Sequence, residues 1–358
     1  MYPARARALG LIALAAASVL TAAACSSSGS PSASSASSVP AEYKALYQGA
    51  LKEGGTVVVY SNVSAEALDK ITAKFDSTFP GMHLEAQFFS TVPMETRITA
   101  EAKSGQPKSD VIMNGDVGYL DNMISAGQLA SMANVPNVSA IPAAYRDGTY
   151  YYASEIYVSA ITYNTNNVKT PPTSYADVVD MGKKAAIVDP RTGGGSALIT
   201  YMLTKLYGTS FWSSVKTNGN LMFASVAQAA PEVASGALNA MINSNGAGTC
   251  DEEQGQPVKV VYPSQGVAAL PFYTAVQAKA QHPDGARLYA AWIASQQGQT
   301  LLTGADCTFS ARPDVQASTS LPTLKSLNVL HYPYEQYSAE YPALDKQAIA
   351  AAGLSTSG

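Results

Sequence analysis

Between Thr56 and Gly127 the chain alternates three times between a short apolar run and a helix-patterned stretch, and few folds accept that arrangement. Thr56 to Tyr60 is continuously apolar in the manner of a strand buried on both faces. Ser64 then stands as an N-cap before Leu68, Ile71, Phe75 and Phe79, which keep helical spacing until Pro80-Gly81. Met82 to Phe88 alternates strictly, as a strand with one solvated face does, and Ser90-Thr91-Val92-Pro93 leads into a helix through Met94, Ile98 and Ala102. A third strand over Asp110 to Met113 runs into Asn114-Gly115-Asp116 and a further helix up to Gly127. A β-α-β-α-β-α order calls for an open, mostly parallel sheet with right-handed crossovers, and ligands of such sheets bind beyond the strand C-termini. The residues expected at that edge are Ser61, Asn62, Ser90, Thr91 and Asn114, all short, polar and uncharged.

A second ligand-facing feature lies further on. Ala185 to Val188 reads as a strand, Asp189-Pro190-Arg191-Thr192-Gly193-Gly194-Gly195-Ser196 as a glycine-rich turn, and Ala197 to Leu206 as a helix. Glycines let backbone approach a ligand closely, and the free N–H groups of a helix start carry partial positive charge, so Arg191, Thr192, Gly194, Gly195 and Ser196 are candidates for an anion cradle. An ordinary ligand-free strand-to-helix connection fits the local sequence equally well.

The leader sets the compartment. Arg5 and Arg7 precede an apolar run from Ala8 to Leu20, then Thr21-Ala22-Ala23-Ala24 and Cys25, the pattern of an export signal too short for a stable membrane span. Cys25 after small residues, followed by serine and alanine to Ser38, resembles a bacterial lipoprotein signal, although Ala22 stands where that motif usually has leucine. Residues 1–24 are expected as signal peptide and 25–41 as a lipid-anchored flexible tether, since its composition cannot bury enough apolar surface to offset chain entropy. Removing Arg5 and Arg7 from the 22 basic residues leaves 20 against 26 acidic ones, a net charge of −6, which disfavours nucleic acid or an anionic membrane surface as partner. With Cys25 taken by lipid, Cys250 and Cys307 remain, and outside the cytoplasm such a pair is expected to be joined.

The middle of the chain carries a long extended segment, Tyr150 to Asn164, of a length that crosses between lobes. Helices are expected over 197–207, 211–216 and 228–240, then a loop with Cys250, a strand over Val258 to Tyr262, and a second return between lobes near Val267 to Leu270.

Several segments together carry a family resemblance: Gly55 to Ser61 with the helix after it, Ser109-Asp110-Val111-Ile112, Tyr163-Asn164 with Pro172 to Asp177, Asp189-Pro190, and His282 to Leu288 through Ser295 to Gln299. Their order and spacing resemble the extracellular solute-binding proteins of bacterial ABC importers, in the branch of the ferric-iron-binding proteins and their organic-anion-binding relatives. The resemblance implies an α/β, periplasmic-binding-protein-like fold: two α/β lobes with central mostly parallel sheets, joined by two hinge strands. Residues 42–155 and 263–315 would form one lobe, 156–262 the other, and 316–358 a helical C-terminal segment packed on the second lobe. It further implies a monomer that is no enzyme and needs no cofactor, anchored outside the cytoplasm, capturing a small anion and delivering it to membrane permease subunits. Tyr157 and Tyr273 would stand by the hinge as the ligand's wall.

The resemblance breaks where iron would matter. Ferric-binding members place a pair of adjacent tyrosines where this chain has Gly236 to Ser244, with no tyrosine, histidine or carboxylate, so a hard trivalent cation would lack anionic oxygen ligands there. No metal site is expected: Tyr150, Tyr151 and Tyr152 read as structural, and His83, His282 and His331 are scattered. Iron stays the alternative ligand, and a ligand-sensing lipoprotein of the same fold the alternative role. A serine hydrolase is disfavoured because Gly194-Gly195-Ser196-Ala197-Leu198 lacks the second glycine of a nucleophile elbow.

Overall fold

The computed structural model describes residues 39–316, 318 and 320–355. The leader with Cys25 therefore lies outside the described residues. Helix α1 (Lys44–Lys52) ends at Gly54 and Gly55, both at positive φ, and strand β1 (Thr56–Ser61) follows. Ser64 caps α2 (Ala65–Thr78) by accepting the Ala67 N–H, and α2 buries Leu68, Ile71 and Phe75. β2 (His83–Phe88), α3 (Thr91–Lys103), β3 (Val111–Asn114) and α4 (Val117–Ser125), capped by Asp116, complete the alternation. β1 runs parallel to both β2 and β3, as consecutive β-α-β crossovers require.

β4 (Tyr151–Asn164) is the long strand on which the two halves meet. After it come α5 (Tyr175–Val179), held by a Ser174/Asp177 capping box, β5 (Ala185–Val188), α6 (Gly195–Tyr207), α7 (Thr209–Asn218), β6 (Leu221–Phe223), α8 (Val226–Ala234), β7 (Ala240–Ser244), α9 (Gly246–Glu253) and β8 (Val258–Val261). The chain closes with β9 (Val267–Val276), α10 (Pro283–Ile293), α11 (Gln296–Ala305), β10 (Val329–Leu330) and α12 (Tyr334–Ala351).

The strand order is β2-β1-β3-β9-β4-β7-β5-β6, with β10 on β9 and β8 on β4. Along β4, residues 151–158 pair antiparallel with β9, whereas residues 159–164 pair with β7 and β8. β5 is parallel to both β6 and β7. One strand thus belongs to two sheets, and each sheet has its own core. Val57, Phe75, Tyr289 and Trp292 fill the first; Ile187, Trp212 and Ile242 fill the second. Two cores are what two lobes need, because one layer pair can cover only one sheet. Phe75, packed against Phe79, Tyr289 and Trp292, is the kind of buried aromatic whose truncation to alanine costs about 3–5 kcal/mol.

Two expectations need correction, and one strand is new. The helix expected over 228–240 stops at Ala234, Gly236 takes a positive φ, and Ala240 to Ser244 is a strand. Ala240, Met241 and Ile242 are each at most 1% exposed, and a short apolar run buried on both faces fits a strand as well as a helix. Cys250 lies on α9, not in a loop, and Leu221–Phe223 adds an edge strand that the sequence did not announce. The Cys250–Cys307 disulfide is present, with the two Cα atoms 5.4 Å apart.

Candidate functional site

A cavity of about 540 Å³ lies where the two halves face each other. Its walls come from the start of α4 (Gly115 to Gly118), Tyr145, Arg146 and Tyr151, the turn Gly193 to Gly195 entering α6, residues 269–273 of β9, and the α12 face carrying Tyr334, Tyr337, Ser338 and Tyr341. A shallow surface groove between α2 and α11, near Lys70 and Gln297, is separate from it, and Lys70 there is already paired with Glu66.

The glycine turn is built for close approach. Gly194 takes φ 63° and ψ −135°, a conformation L-residues avoid, and its missing Cβ would stand 3.0 Å from the Thr91 Oγ1 across the cleft. α6 starts there without a side-chain cap or an acidic residue in its first turn. The backbone N–H groups of Gly193, Gly194, Gly195 and Ser196 meet no protein acceptor among the described residues. Consecutive unsatisfied N–H groups at the start of a 13-residue helix make a concavity that favours negative charge. Arg146 lines the same cavity. Its Nε donates to the Ile141 carbonyl at 2.9 Å, while its terminal nitrogens bind nothing among the described residues and no carboxylate pairs with it.

The residues expected to hold a ligand fall into three groups. Gly194, Gly195 and Tyr273 line the cavity, and Ser196 sits in the first turn of α6 beside them. Asn62, Thr91 and Asn114 form a network at the strand ends, with Asn62 donating to Thr91 Oγ1 at 3.0 Å and to Asn114 Oδ1 at 3.4 Å, while Ser61 Oγ accepts the Val63 N–H. Ser90 is the exposed N-cap position of α3. The remaining three are occupied elsewhere. Arg191 forks onto Asp189 through Nε (3.0 Å) and Nη2 (2.6 Å), because a carboxylate two residues away is the nearest partner for its guanidinium. Thr192 donates to the Asp189 carbonyl. Tyr157 is hydrogen-bonded to Asp306, behind Phe272, whose ring is 4.9 Å from its own. None of these three contributes to the cavity wall, and neither do Ser61, Asn62, Ser90, Thr91 or Asn114. Gly236 to Ser244 contributes nothing to it either.

The aromatic wall was not anticipated. Tyr334, Tyr337 and Tyr341 repeat at helical spacing, a signal legible in the C-terminal sequence, whereas Tyr145-Arg146 stands in a stretch with no pattern of its own. The Tyr337 and Tyr341 rings stack at 5.1 Å, and Tyr201 meets Tyr332 and Tyr337 edge-on. Tyr151 donates to Asp121, its ring is edge-on to Tyr273, and Tyr152 donates to the Ala290 carbonyl. His331 also lines the cavity, while His83 and His282 bind Asp76 and Asp110. Burial, and then the nearby Asp121, pushes the Tyr273 phenol up to about 12. Burial together with Asp116 and Asp345 holds Tyr337 and Tyr341 still higher. These phenols stay protonated and offer hydroxyls, not phenolates. At the cleft edge, Glu95 accepts from Asn114 at 3.0 Å; burial and then Asp116 outweigh that bond and push its carboxyl up to about 7.

Two sheets, each packed on its own buried apolar clusters, and a cavity between them define a two-lobed binding protein. The sequence matches the bacterial extracellular solute-binding proteins over residues 56–305, and the chain belongs to that family, whose members bind small solutes outside the cytoplasm for ABC importers and their permeases. Among curated proteins none matches the chain. Among solved structures, it is similar to the periplasmic binding protein AfuA from Actinobacillus pleuropneumoniae with fructose-6-phosphate bound, at TM-score 0.73 and 19% identity over 84% of this chain and 99% of that one. It is also similar to iron-bound HitA from Pseudomonas aeruginosa (0.68, 18%, 82% and 99%) and to a periplasmic thiamin binding protein (0.68, 18%, 83% and 96%). At these identities the likeness carries the fold. Among the described residues no helix is long and apolar enough to cross a membrane, and no group of three His, Cys, Asp or Glu could hold a metal ion.

Proposed function

We propose that this chain captures a small organic anion in the cavity between its lobes and hands it to an ABC permease, tethered to the membrane by a lipid on Cys25. The observation that carries the reading is the run of N–H groups from Gly193 to Ser196 with no protein acceptor among the described residues, beside a cavity that also holds an Arg146 guanidinium paired with no carboxylate among them. Positive potential with unused donors suits an anionic oxygen group. Volume argues for an organic body: a water's share of liquid is about 30 Å³, so a bare oxyanion or a single metal ion would leave most of the 540 Å³ unfilled. A ferric ion is the weaker reading, because the tyrosines there are held protonated and the hard cation would have to displace their protons. The lobes would be 42–155 with 263–315, and 156–262, hinged where β4 passes from one sheet to the other.

A thermal-shift panel of organic phosphates, phosphonates, sulfonates and carboxylates, with ferric citrate alongside, tests this. A ligand at a hundredfold excess over its Kd adds about 2.7 kcal/mol of stability. Arg146→Ala and Gly195→Val should each reduce the shift from the best organic anion. A shift from ferric citrate alone would refute the reading.

A further inference from the structure

We infer that α12 is part of the binding site and that the solute is amphoteric: its acidic group meets the glycine turn and Arg146, while a positively charged nitrogen sits against Tyr334, Tyr337 and Tyr341 beside the Asp116 carboxylate. The inference rests on the anion-binding reading above and extends it to the other end of the ligand.

The helix is fixed from the side. Glu340, next to the tyrosine face, accepts from Tyr201 at 2.7 Å and pairs with Lys205 at 2.9 Å, both on α6. That leaves the face with Tyr334, Tyr337, Ser338 and Tyr341, at steps of three and four, turned to the cavity. Across from it lies the start of α4. Asp116 spends Oδ1 on the Tyr119 N–H, and its other oxygen has no hydrogen-bond partner among the described residues. Gly118 makes room for the Tyr334 hydroxyl: a Cβ there would stand 2.6 Å from that oxygen and 3.3 Å from Asp116 Oδ1, so phenol and carboxylate stand close together. Pro342 has no N–H, so the Ser338 carbonyl on this face lacks its helical donor and adds partial negative charge.

Three tyrosine rings, a carboxylate oxygen with no hydrogen-bond partner among the described residues and a carbonyl without its usual helical donor together suit a cation. Yet Arg146 and the glycine turn, in the same cavity, suit an anion. Asp116 and Arg146 do not neutralise each other, since no ion pair joins them among the described residues. Two half-buried opposite charges, each without an ionic partner among the described residues, are both satisfied by one ligand that carries both signs.

Isothermal titration of the purified chain with phosphocholine, glycerol 3-phosphate and choline separates the possibilities, using the wild type, Asp116→Asn and Tyr337→Leu. Asparagine keeps the α4 cap, and leucine keeps apolar bulk on α12. Phosphocholine should bind at least about tenfold more tightly than glycerol 3-phosphate, the scale of one cation–π and charge contact. Both variants should remove that advantage by weakening phosphocholine more than glycerol 3-phosphate, and cooperative thermal unfolding shows that they fold. Equal affinity for the two phosphates, or equal weakening of both in the variants, overturns the inference and leaves the anion reading standing. Binding of choline without either phosphate overturns the amphoteric claim through its anionic half and takes the anion reading with it. No binding of any of the three overturns the inference outright.

Discussion

Replacing Gly194 by alanine should weaken solute binding through one contact that exists only across the cleft, and a double-mutant cycle can isolate it. At φ 63° and ψ −135° an alanine carries strain of about 1–3 kcal/mol, felt in the turn whether or not the lobes are together. That share belongs to unfolding stability. The second share is intermolecular in character although it lies within one chain: the new Cβ stands 3.0 Å from Thr91 Oγ1, closer than side chains ordinarily sit. Thr91 must give way, and the oxygen it moves accepts the Asn62 Nδ2 bond at 3.0 Å. Losing a bond of that kind costs about 1 kcal/mol, roughly fivefold in Kd. In a Thr91→Ala background the nearest atom becomes the Cβ at 3.6 Å, an ordinary contact, so Gly194→Ala should leave affinity nearly unchanged there while still lowering the unfolding midpoint. Titration calorimetry with the best organic anion, and thermal unfolding of all four proteins, give both halves of the cycle. An equal affinity loss in both backgrounds would refute the cross-cleft contact, and an undiminished unfolding midpoint would refute the strain.

Three further outcomes are expected. Glu155 is fully buried on β4, with Oε1 unpartnered, Oε2 accepting from Thr308, and Asp306 nearby; burial first and then Asp306 raise its carboxyl well above the ordinary range. A raised folded-state value stabilises below the unfolded pKa and loses that stabilisation as pH rises, so denaturant unfolding should show wild-type stability falling above about pH 4.3 relative to Glu155→Gln; parallel profiles would contradict it. Removing the disulfide by Cys250→Ser with Cys307→Ser opens a 57-residue separation and should cost about 4 kcal/mol, read as a lower denaturant midpoint that reductant no longer changes. Cys25→Ala should move the exported protein from the membrane to the soluble fraction with solute affinity unaltered; retention in the membrane fraction would place the anchor elsewhere.

The parts of the fold that the sequence reveals are those where one physical signal acts alone. Thr56 to Tyr60 and Ala185 to Val188 are buried on both faces and could be little else than strands, and Ser64 and Asp116 cap helices by local geometry. A helix is expected as far as Ala240, and the strand Ala240 to Ser244 is not legible, because its burial comes from β4 and β5 on either side, a tertiary fact that periodicity does not carry. At the site, the turn at Gly194 was legible because three glycines before a helix have a backbone reason. Arg191 misled, since its charge suggested a ligand while Asp189, two residues back, was the nearer partner. The tyrosines of α12 were visible as a spacing, but only the packing of that helix on α6 and its approach to Gly118 turns the stripe into a wall.

The central claim is that an anionic group of the solute sits on the free N–H groups of the Gly193 to Ser196 turn. It is tested most directly by following the backbone amides of ¹⁵N-glycine-labelled protein during titration with the best organic anion from the panel. The amide protons of Gly193, Gly194 and Gly195 have no protein acceptor among the described residues, so they should move downfield as they gain one, in step with saturation. If those three resonances stay in place while glycines elsewhere shift, the solute binds somewhere other than this turn.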